Sequence, residues 1–179
     1  MLIRAFFFLL DSLAGFMSAL LLLRFFMQLL RVSFTNPVGA FTLQLTNWLV
    51  LPLRRILPGL AGLDLASLVP AYLLQILMPA AMLALGGAIR MTSPEGMLVL
   101  VLGQALWATL RLTVYLMIWA LVLQAVLSWV NPYSAIAQPL NQFTRPLLAP
   151  LRRIIPQVGM FDLTPLVAIL LLQLILIFL

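Results

Sequence analysis

Four long apolar runs, with few charged residues inside or between them, constrain the fold of this chain more than any other feature. Of its 179 residues, 65% are hydrophobic and only 8% are charged. Soluble domains carry about 25% charged residues, so the charges here are too few to cover a core of this size in water. Because apolar runs of about 20 residues are typical of transmembrane helices, the sequence predicts an all-α membrane protein.

The four predicted transmembrane helices cover residues 5–30, 65–89, 97–130 and 163–179. The third run would form a helix of about 51 Å, against a hydrocarbon thickness of about 30 Å. Either its start lies along the membrane interface or the helix protrudes from the membrane. Pro70 and Pro79 in the second run are expected to kink that helix without excluding it from the bilayer.

Missing residue types exclude most enzyme classes. The chain contains no cysteine, histidine or lysine, which removes disulfides, imidazole bases, Schiff-base lysines and the usual zinc and haem ligands. The four acidic residues, Asp11, Asp64, Glu95 and Asp162, are not neighbours in the sequence. We therefore expect a protein without catalytic residues, metal or cofactor.

All ten basic residues are arginines. Arginine binds phosphate groups through two hydrogen bonds, which suits a region of lipid headgroups, although a GC-rich genome explains the same composition. The arginines are scattered between apolar runs rather than gathered in one solvated patch, so nucleic acid is not an expected partner. The expected partner is instead anionic phospholipid.

An internal repeat divides the chain. The matching segments, in the same order in both halves, are Asn36-Pro37 with Asn131-Pro132, 52–58 with 150–156, Asp64 with Asp162, and Gln75 with Gln173. The segments 52–58 and 150–156 both begin with Pro-Leu-Arg-Arg-Ile and end with proline. We interpret residues 1–90 and 97–179 as two copies of two spans each, within a single membrane-embedded unit.

The repeat predicts the orientation of the chain. Each copy holds an even number of spans, so the second copy enters the membrane in the same direction as the first, and a pseudo-twofold axis along the membrane normal is expected. Arg4 and Arg90 fall on one side of the membrane. The arginines on the other side are Arg31, Arg54, Arg55, Arg145, Arg152 and Arg153. By the positive-inside rule, both long loops lie in the cytoplasm and both termini in the periplasm.

The two long loops carry a polar stripe on a helical wheel, about 100° wide. Its members are Gln44, Asn47, Arg54 and Arg55 in the first copy and Gln142, Arg145, Arg152 and Arg153 in the second. This pattern predicts amphipathic helices in the membrane interface, each broken by Pro52 or Pro150 into a helix–kink–helix. Buried connectors are the alternative. The arginines Arg54, Arg55, Arg145, Arg152 and Arg153 are predicted to contact lipid headgroups or a partner.

Two aspartates precede predicted spans. Asp64 and Asp162 are expected to cap the helices that follow them. Two sharper hypotheses pair each aspartate with the arginines ten residues earlier, or bring both aspartates together as a cation site. Asn36 and Asn131 are expected to cap the exit turns of their spans. The prolines that follow them, Pro37 and Pro132, would enforce the bend.

Polar residues also lie inside the predicted spans. Gln75 and Gln173 either form interhelical hydrogen bonds or line a polar path. Two further stripes with helical spacing, Arg24-Gln28-Arg31 and Gln104-Arg111-Tyr115, must face partners, water or headgroups. Neither stripe is repeated in the other copy, because Arg24 corresponds to Trp119 and Arg111 to Phe16.

These motifs resemble the YggT (YlmG) family of small integral membrane proteins of bacteria and plastids. The resemblance rests on the repeated Asn-Pro, on the proline- and arginine-containing segment 144–156, and on the Phe-Asp-Leu-Thr-Pro sequence that starts at Phe161. It covers essentially the whole chain. The resemblance implies a multi-pass inner-membrane protein associated with osmotic tolerance, cell division or the assembly of membrane complexes, and it brings no catalytic residues.

We therefore expect a non-enzymatic scaffold or assembly factor of the bacterial inner membrane. It would contact lipid headgroups and other membrane proteins, or a second copy of itself. The alternative is an ion-conducting or ion-transport-modulating protein, which would need an oligomer because four spans leave little room for a pore. The duplicated glutamine and aspartate favour this alternative, and the scarcity of charge in the middle of the membrane opposes it.

Overall fold

The computed structural model describes residues 1–59, 62–85, 94–155 and 162–179, and in these ranges it contains helices and no strands. The helices are α1 (Leu2–Leu29), α2 (Pro37–Leu53), α3 (Leu65–Leu85), α4 (Pro94–Val130), α5 (Ala137–Leu151) and α6 (Thr164–Phe178). The all-α prediction is confirmed for this part of the chain. The predicted end of the second span and the residues Arg90, Pro156 and Phe161 lie outside the described residues.

Two helices are long and apolar enough to cross a membrane. The segments that meet this criterion are Arg4–Leu29 in α1 and Glu95–Val130 in α4, while Leu65–Ala81 and Thr164–Phe178 are apolar but shorter. α4 is one continuous helix of about 56 Å at 1.5 Å per residue. The third predicted span is therefore a single long helix without a separate interfacial start.

α1 and α4 run in the same direction. Met27, near the end of α1, shares a packing cluster with Ala120 of α4. Asp11, nearer the start of α1, lines a cleft with Arg111 of α4. Because α2 follows α1 and α5 follows α4, both short helices lie at the same end of the bundle, which we call the loop end.

Three apolar clusters hold the helices together. The first joins α1, α2 and α3 through Leu21, Leu22, Val50, Ala66 and Ala71. The corresponding cluster of the second copy joins α4, α5 and α6 through Leu121, Leu148, Ala168 and Leu172. A third cluster links the copies through Met27, Val32, Ala120 and Phe143. Each copy therefore has its own three-helix core.

The two copies meet mostly through α1 and α3 on one side and α4 on the other, and Phe143 of α5 also contacts Phe26 of α1. If a twofold axis related the two copies, α6 would pack against α1 in the same way as α3 packs against α4. Within the described ranges, the extensive packing of α6 involves α4 and α5 instead. The pseudo-twofold axis stays a prediction.

The prolines of the long loops end helices instead of kinking them. α2 ends at Leu53 and α5 at Leu151, one residue after Pro52 and Pro150. The chain then turns, so the expected helix–kink–helix is wrong. A proline has no N–H for the carbonyl of the preceding turn, which weakens the last helical turn and favours termination there. Arg54 and Arg152 are the C-caps of these helices.

Candidate functional site

Each aspartate of the repeat pairs with the arginine ten residues before it. Arg54 Nη2 lies 2.7 Å from Asp64 Oδ2, and Arg152 Nη2 lies 3.0 Å from Asp162 Oδ2. Of the hypotheses left open for these aspartates, the structure therefore supports the arginine pairing. No group of three acidic residues that could hold a metal ion occurs in the described part of the chain.

The first pair belongs to a hydrogen-bonded network at the loop end, in which Asp64 is buried and Arg54 is 42% exposed. Asp64 is only 3% exposed, and its Oδ2 accepts a hydrogen bond of 2.7 Å from the Ser67 hydroxyl in the first turn of α3. Arg54 Nη2 also donates to Gln28 Oε1 of α1, at 2.8 Å. Asp64 therefore binds side chains of α3 and of the α2 C-terminus instead of capping a backbone N–H as expected, and Arg54 ties the end of α2 to α1 and to the start of α3.

Arg24 is a buried charge between α1 and α2. Its side chain is 2% exposed, and Nη1 donates to Thr46 Oγ1 at 2.7 Å and to Asn47 Oδ1 at 2.9 Å. Its Nε is buried and has no hydrogen-bond partner among the described residues. Arg24, a member of the stripe predicted on α1, therefore has its partners within the same chain, in α2.

The turn between α1 and α2 is closed by the backbone and by Asn36. The Val32 N–H donates to the Met27 carbonyl, and Arg31, at φ 55°, takes the left-handed position after the helix. Asn36 Oδ1 accepts from the Gly39 N–H at 2.9 Å and so caps the start of α2. Asn36 is a cap, but of the following helix instead of the exit turn. A side chain at Gly39 would collide with the Phe34 backbone.

The second copy links its helices differently. Gln124 of α4 donates to Asn141 Oδ1 at 2.6 Å and accepts from the Thr144 hydroxyl. Thr144 and Thr46 hold equivalent positions, each six residues before the repeated Pro-Leu-Arg-Arg. Trp119, which corresponds to Arg24, is 64% exposed. The uncharged amide of Gln124 therefore links α4 to α5 in the second copy, as the buried Arg24 links α1 to α2 in the first.

The second arginine–aspartate pair is open to solvent. The side chains of Arg152 and Asp162 are 51% and 29% exposed. Asp162 Oδ1 also accepts from the Thr164 N–H at 2.9 Å, at the start of α6. Partial burial raises the pKa of Asp162, but the hydrogen bonds from Thr164 and the charge of Arg152 outweigh this effect and hold the pKa below its ordinary value.

This lowered pKa predicts a pH dependence of stability. The unfolded chain binds a proton at Asp162 more readily than the folded chain does, so the stabilisation by Asp162 is complete above the unfolded pKa of about 3.9 and is lost as the pH falls through the folded value. In detergent solution, we expect the difference in thermal midpoint between the parent and Asp162→Ala to shrink as the pH falls from about 6 to below about 4. A difference that stays constant over this range would contradict the assignment.

Arg145 and Arg152 line a cleft of about 770 Å³ at the loop end, which we call the basic cleft. Ser134, Gln138 and Gln142 contribute to the same wall. Arg145 is exposed and makes no ion pair with a described residue, and the same holds for Arg55 and Arg153 outside the cleft.

The remaining predicted residues are placed as follows. Asn131 is exposed directly after α4, where its carbonyl accepts from the Ser134 N–H. Pro132 lines the basic cleft. Gln75 lines a second cleft of about 680 Å³ with Asp11 and Arg111, whereas Gln173 is exposed on α6. The cleft that Gln75 lines does not include Gln173.

Sequence reasoning missed Gln124, Asn141 and Ser134. Gln124 is one of two amides in the apolar helix α4, and this polar position is the one signal that could have marked it. Its partners belong to α5, and nothing in the spacing predicts which face of α5 packs on α4.

Comparisons with known proteins agree with the motifs. The sequence profile of the CCB3/YggT family matches residues 3–85 and 103–179. An uncharacterised protein of Pseudomonas aeruginosa is 39% identical over 170 residues, covering 94% of this chain and 84% of that protein. The uncharacterised protein YggT of Escherichia coli K12 is 32% identical over 169 residues, covering 94% of this chain and 85% of its own length.

A further relative is an uncharacterised protein of Vibrio alginolyticus, which is 34% identical over 163 residues, or 89% of this chain and 85% of the relative. No solved structure matches the chain. The family profile and the relatives both cover most of the sequence. The chain therefore belongs to the CCB3/YggT family.

Proposed function

We propose that this protein is a non-enzymatic, multi-pass protein of the bacterial inner membrane that acts as a scaffold or assembly factor. In this proposal α1, α3, α4 and α6 span the membrane, and α2 and α5 lie at its cytoplasmic interface. Both termini then face the periplasm. The observation that carries the proposal is the collection of exposed, unpaired arginines around α2 and α5, at one end of an apolar bundle.

Exposed apolar side chains support insertion in a bilayer. Phe8 and Leu13 of α1, Leu106 of α4 and Leu170 of α6 are all exposed although they lie in the apolar helices. Soluble monomers rarely expose contiguous apolar patches larger than a few hundred Å². Lipid chains or partner helices would remove such a surface from contact with water.

Aromatic residues support a membrane interface at the loop end. Trp48 of α2, Trp129 at the end of α4 and Tyr133 after it are exposed. Tryptophan and tyrosine are enriched where the bilayer meets water, because their rings are apolar at one end and polar at the other. Arg55 and Arg153 follow α2 and α5 directly and are suitably placed for phosphate groups at the same level.

Reconstituted vesicles test the proposal through lipid preference. We expect the parent protein to enrich phosphatidylglycerol over phosphatidylcholine around itself. The double variant Arg55→Gln with Arg153→Gln should weaken this preference by up to about 30-fold, because each arginine near an anionic surface contributes about 1 kcal/mol. Arg4→Gln, at the opposite end of α1, removes one charge and leaves the loop end unchanged, so it should weaken the preference by at most about fivefold. A parent protein without any anionic preference would overturn the proposal.

An ion-transport protein is the second candidate, and the cleft with Asp11, Gln75 and Arg111 is the observation that favours it. These polar and charged residues come from α1, α3 and α4 and meet away from the loop end. The same vesicles distinguish the two functions, since a scaffold should give the ion flux of protein-free vesicles. A larger flux that Arg111→Gln changes would support transport instead.

A further inference from the structure

We propose that the basic cleft is a binding site for one phosphate-bearing lipid headgroup, so that only the second copy of the repeat holds a lipid in a fixed position. This inference rests on the proposed function, which puts the loop end at the cytoplasmic leaflet. It differs from a general attraction of arginines to anionic lipid, because it assigns one ligand to one cleft.

Two guanidinium groups supply the charge. Arg145 is exposed and makes no ion pair with a described residue. Arg152 directs Nε and Nη2 at Asp162, which leaves its Nη1 hydrogens available to another acceptor. Because Asp162 neutralises only one of the two charges, the cleft keeps a net positive charge that suits the single negative charge of a phosphodiester.

Two uncharged hydrogen-bond donors of the basic cleft also lack a side-chain acceptor: the Ser134 hydroxyl and the N–H groups at the start of α5. The Ser134 hydroxyl is buried and has no hydrogen-bond partner among the described residues. A buried hydroxyl without a partner is costly, and an anion oxygen would satisfy it. The N-cap of α5 is Ile136, whose side chain cannot accept a hydrogen bond, so the positive end of this 15-residue helix has no side-chain cap.

The first copy shows two of these elements already satisfied. Asn47, the equivalent of Arg145, accepts from Arg24. Asn36 caps the start of α2. Arg54, the equivalent of Arg152, binds buried Asp64 and also Gln28. Among the described residues, Nη1 of the paired arginine is available in both copies, so the difference between the copies lies in Arg145 and in the uncapped start of α5.

The surroundings favour a lipid over free phosphate. The basic cleft has a volume of about 770 Å³, within the range of small-molecule sites. The opposite face of α5 borders an apolar groove of about 540 Å³ between α1 and α4. Pro139 lines this groove and the adjacent Gln138 lines the basic cleft. A headgroup in the cleft therefore has apolar surface for its acyl chains around the same helical turn.

Native mass spectrometry of the full chain in neutral detergent tests the site, with phosphatidylglycerol as the probe. We expect the parent to retain one lipid molecule, and Arg145→Gln to weaken its apparent affinity at least tenfold, as the loss of a charge-assisted hydrogen bond predicts. Arg31→Gln removes an equal charge at the same end, outside the cleft, and should change the affinity less than about twofold. Ser134→Ala keeps the charge and should weaken binding about fivefold.

A second measurement distinguishes a lipid phosphate from free phosphate. Phosphatidylglycerol, inorganic phosphate and phosphatidylcholine are compared for their effect on the thermal midpoint, and only the first should stabilise the parent through Arg145. Equal stabilisation by inorganic phosphate would overturn the lipid assignment. Equal weakening by Arg145→Gln and Arg31→Gln, with Ser134→Ala unchanged, would overturn the site. The proposed function would survive that result, since it requires only the anionic preference measured with Arg55 and Arg153.

Discussion

Replacing Arg24 with alanine is expected to destabilise the folded protein by about 3–5 kcal/mol, as the loss of a large, fully buried side chain and of its charge-assisted hydrogen bonds predicts. The guanidinium joins α1 to Thr46 and Asn47 of α2, and alanine would leave a cavity and remove the donor from the Thr46 and Asn47 side-chain oxygens. Denaturant unfolding in detergent, followed by tryptophan fluorescence, measures the change.

Trp119→Ala is the matched control, because this position corresponds to Arg24 in the second copy and its side chain is 64% exposed. We expect a loss of less than about 1 kcal/mol there, as for most exposed positions. Arg24→Met separates packing from hydrogen bonding, since it fills the space without the charge. An Arg24→Ala protein as stable as the parent would show that the buried guanidinium costs as much as it contributes.

The helices themselves follow from the sequence because an apolar run has few alternatives in a membrane. α1 and α4 begin within three residues of their predicted starts, and α6 begins one residue after its own. α4 is continuous because no proline or glycine pair interrupts it between Glu95 and Val130. Pro52 and Pro150 were harder to interpret, since a proline at a helix interior and one at a helix end look alike until the packing of the following turn is known.

The hydrogen-bond partners of Arg24 could not be predicted from its spacing in the sequence. Its stripe with Gln28 excludes lipid chains, but it does not say whether water, headgroups or the same chain will receive the charge. The answer depends on how α2 docks against α1. Thr46 and Asn47 follow Arg24 by more than twenty residues, and only the fold brings them to it.

The repeat predicts both arginine–aspartate pairs but not their different burial. Ser67, which binds Asp64, has Pro165 at the equivalent position, and proline has no side-chain donor. Gln28, which binds Arg54, corresponds to Leu123. The second pair therefore lacks two of the partners that enclose the first, which explains in physical terms why Asp162 stays accessible.

This difference predicts unequal effects of the same substitution. Asp64→Ala should destabilise the protein by about 3 kcal/mol, because it leaves Arg54 without its buried counter-ion and the Ser67 hydroxyl without an acceptor. Asp162→Ala should cost about 1 kcal/mol, as expected for an exposed ion pair with a helix-capping contact. Denaturant unfolding of both variants under one set of conditions gives the comparison.

Asparagine at the same positions separates charge from hydrogen bonding. Asp64→Asn still offers an oxygen to Ser67 or Arg54 but not the charge, so it should fall between alanine and the parent. Asp162→Asn should lie close to the parent above about pH 5, because its amide oxygen can accept the Thr164 N–H and an exposed ion pair contributes little. Equal losses for Asp64→Ala and Asp162→Ala would mean that the two pairs share one role, and that the burial of Asp64 does not set its contribution to stability.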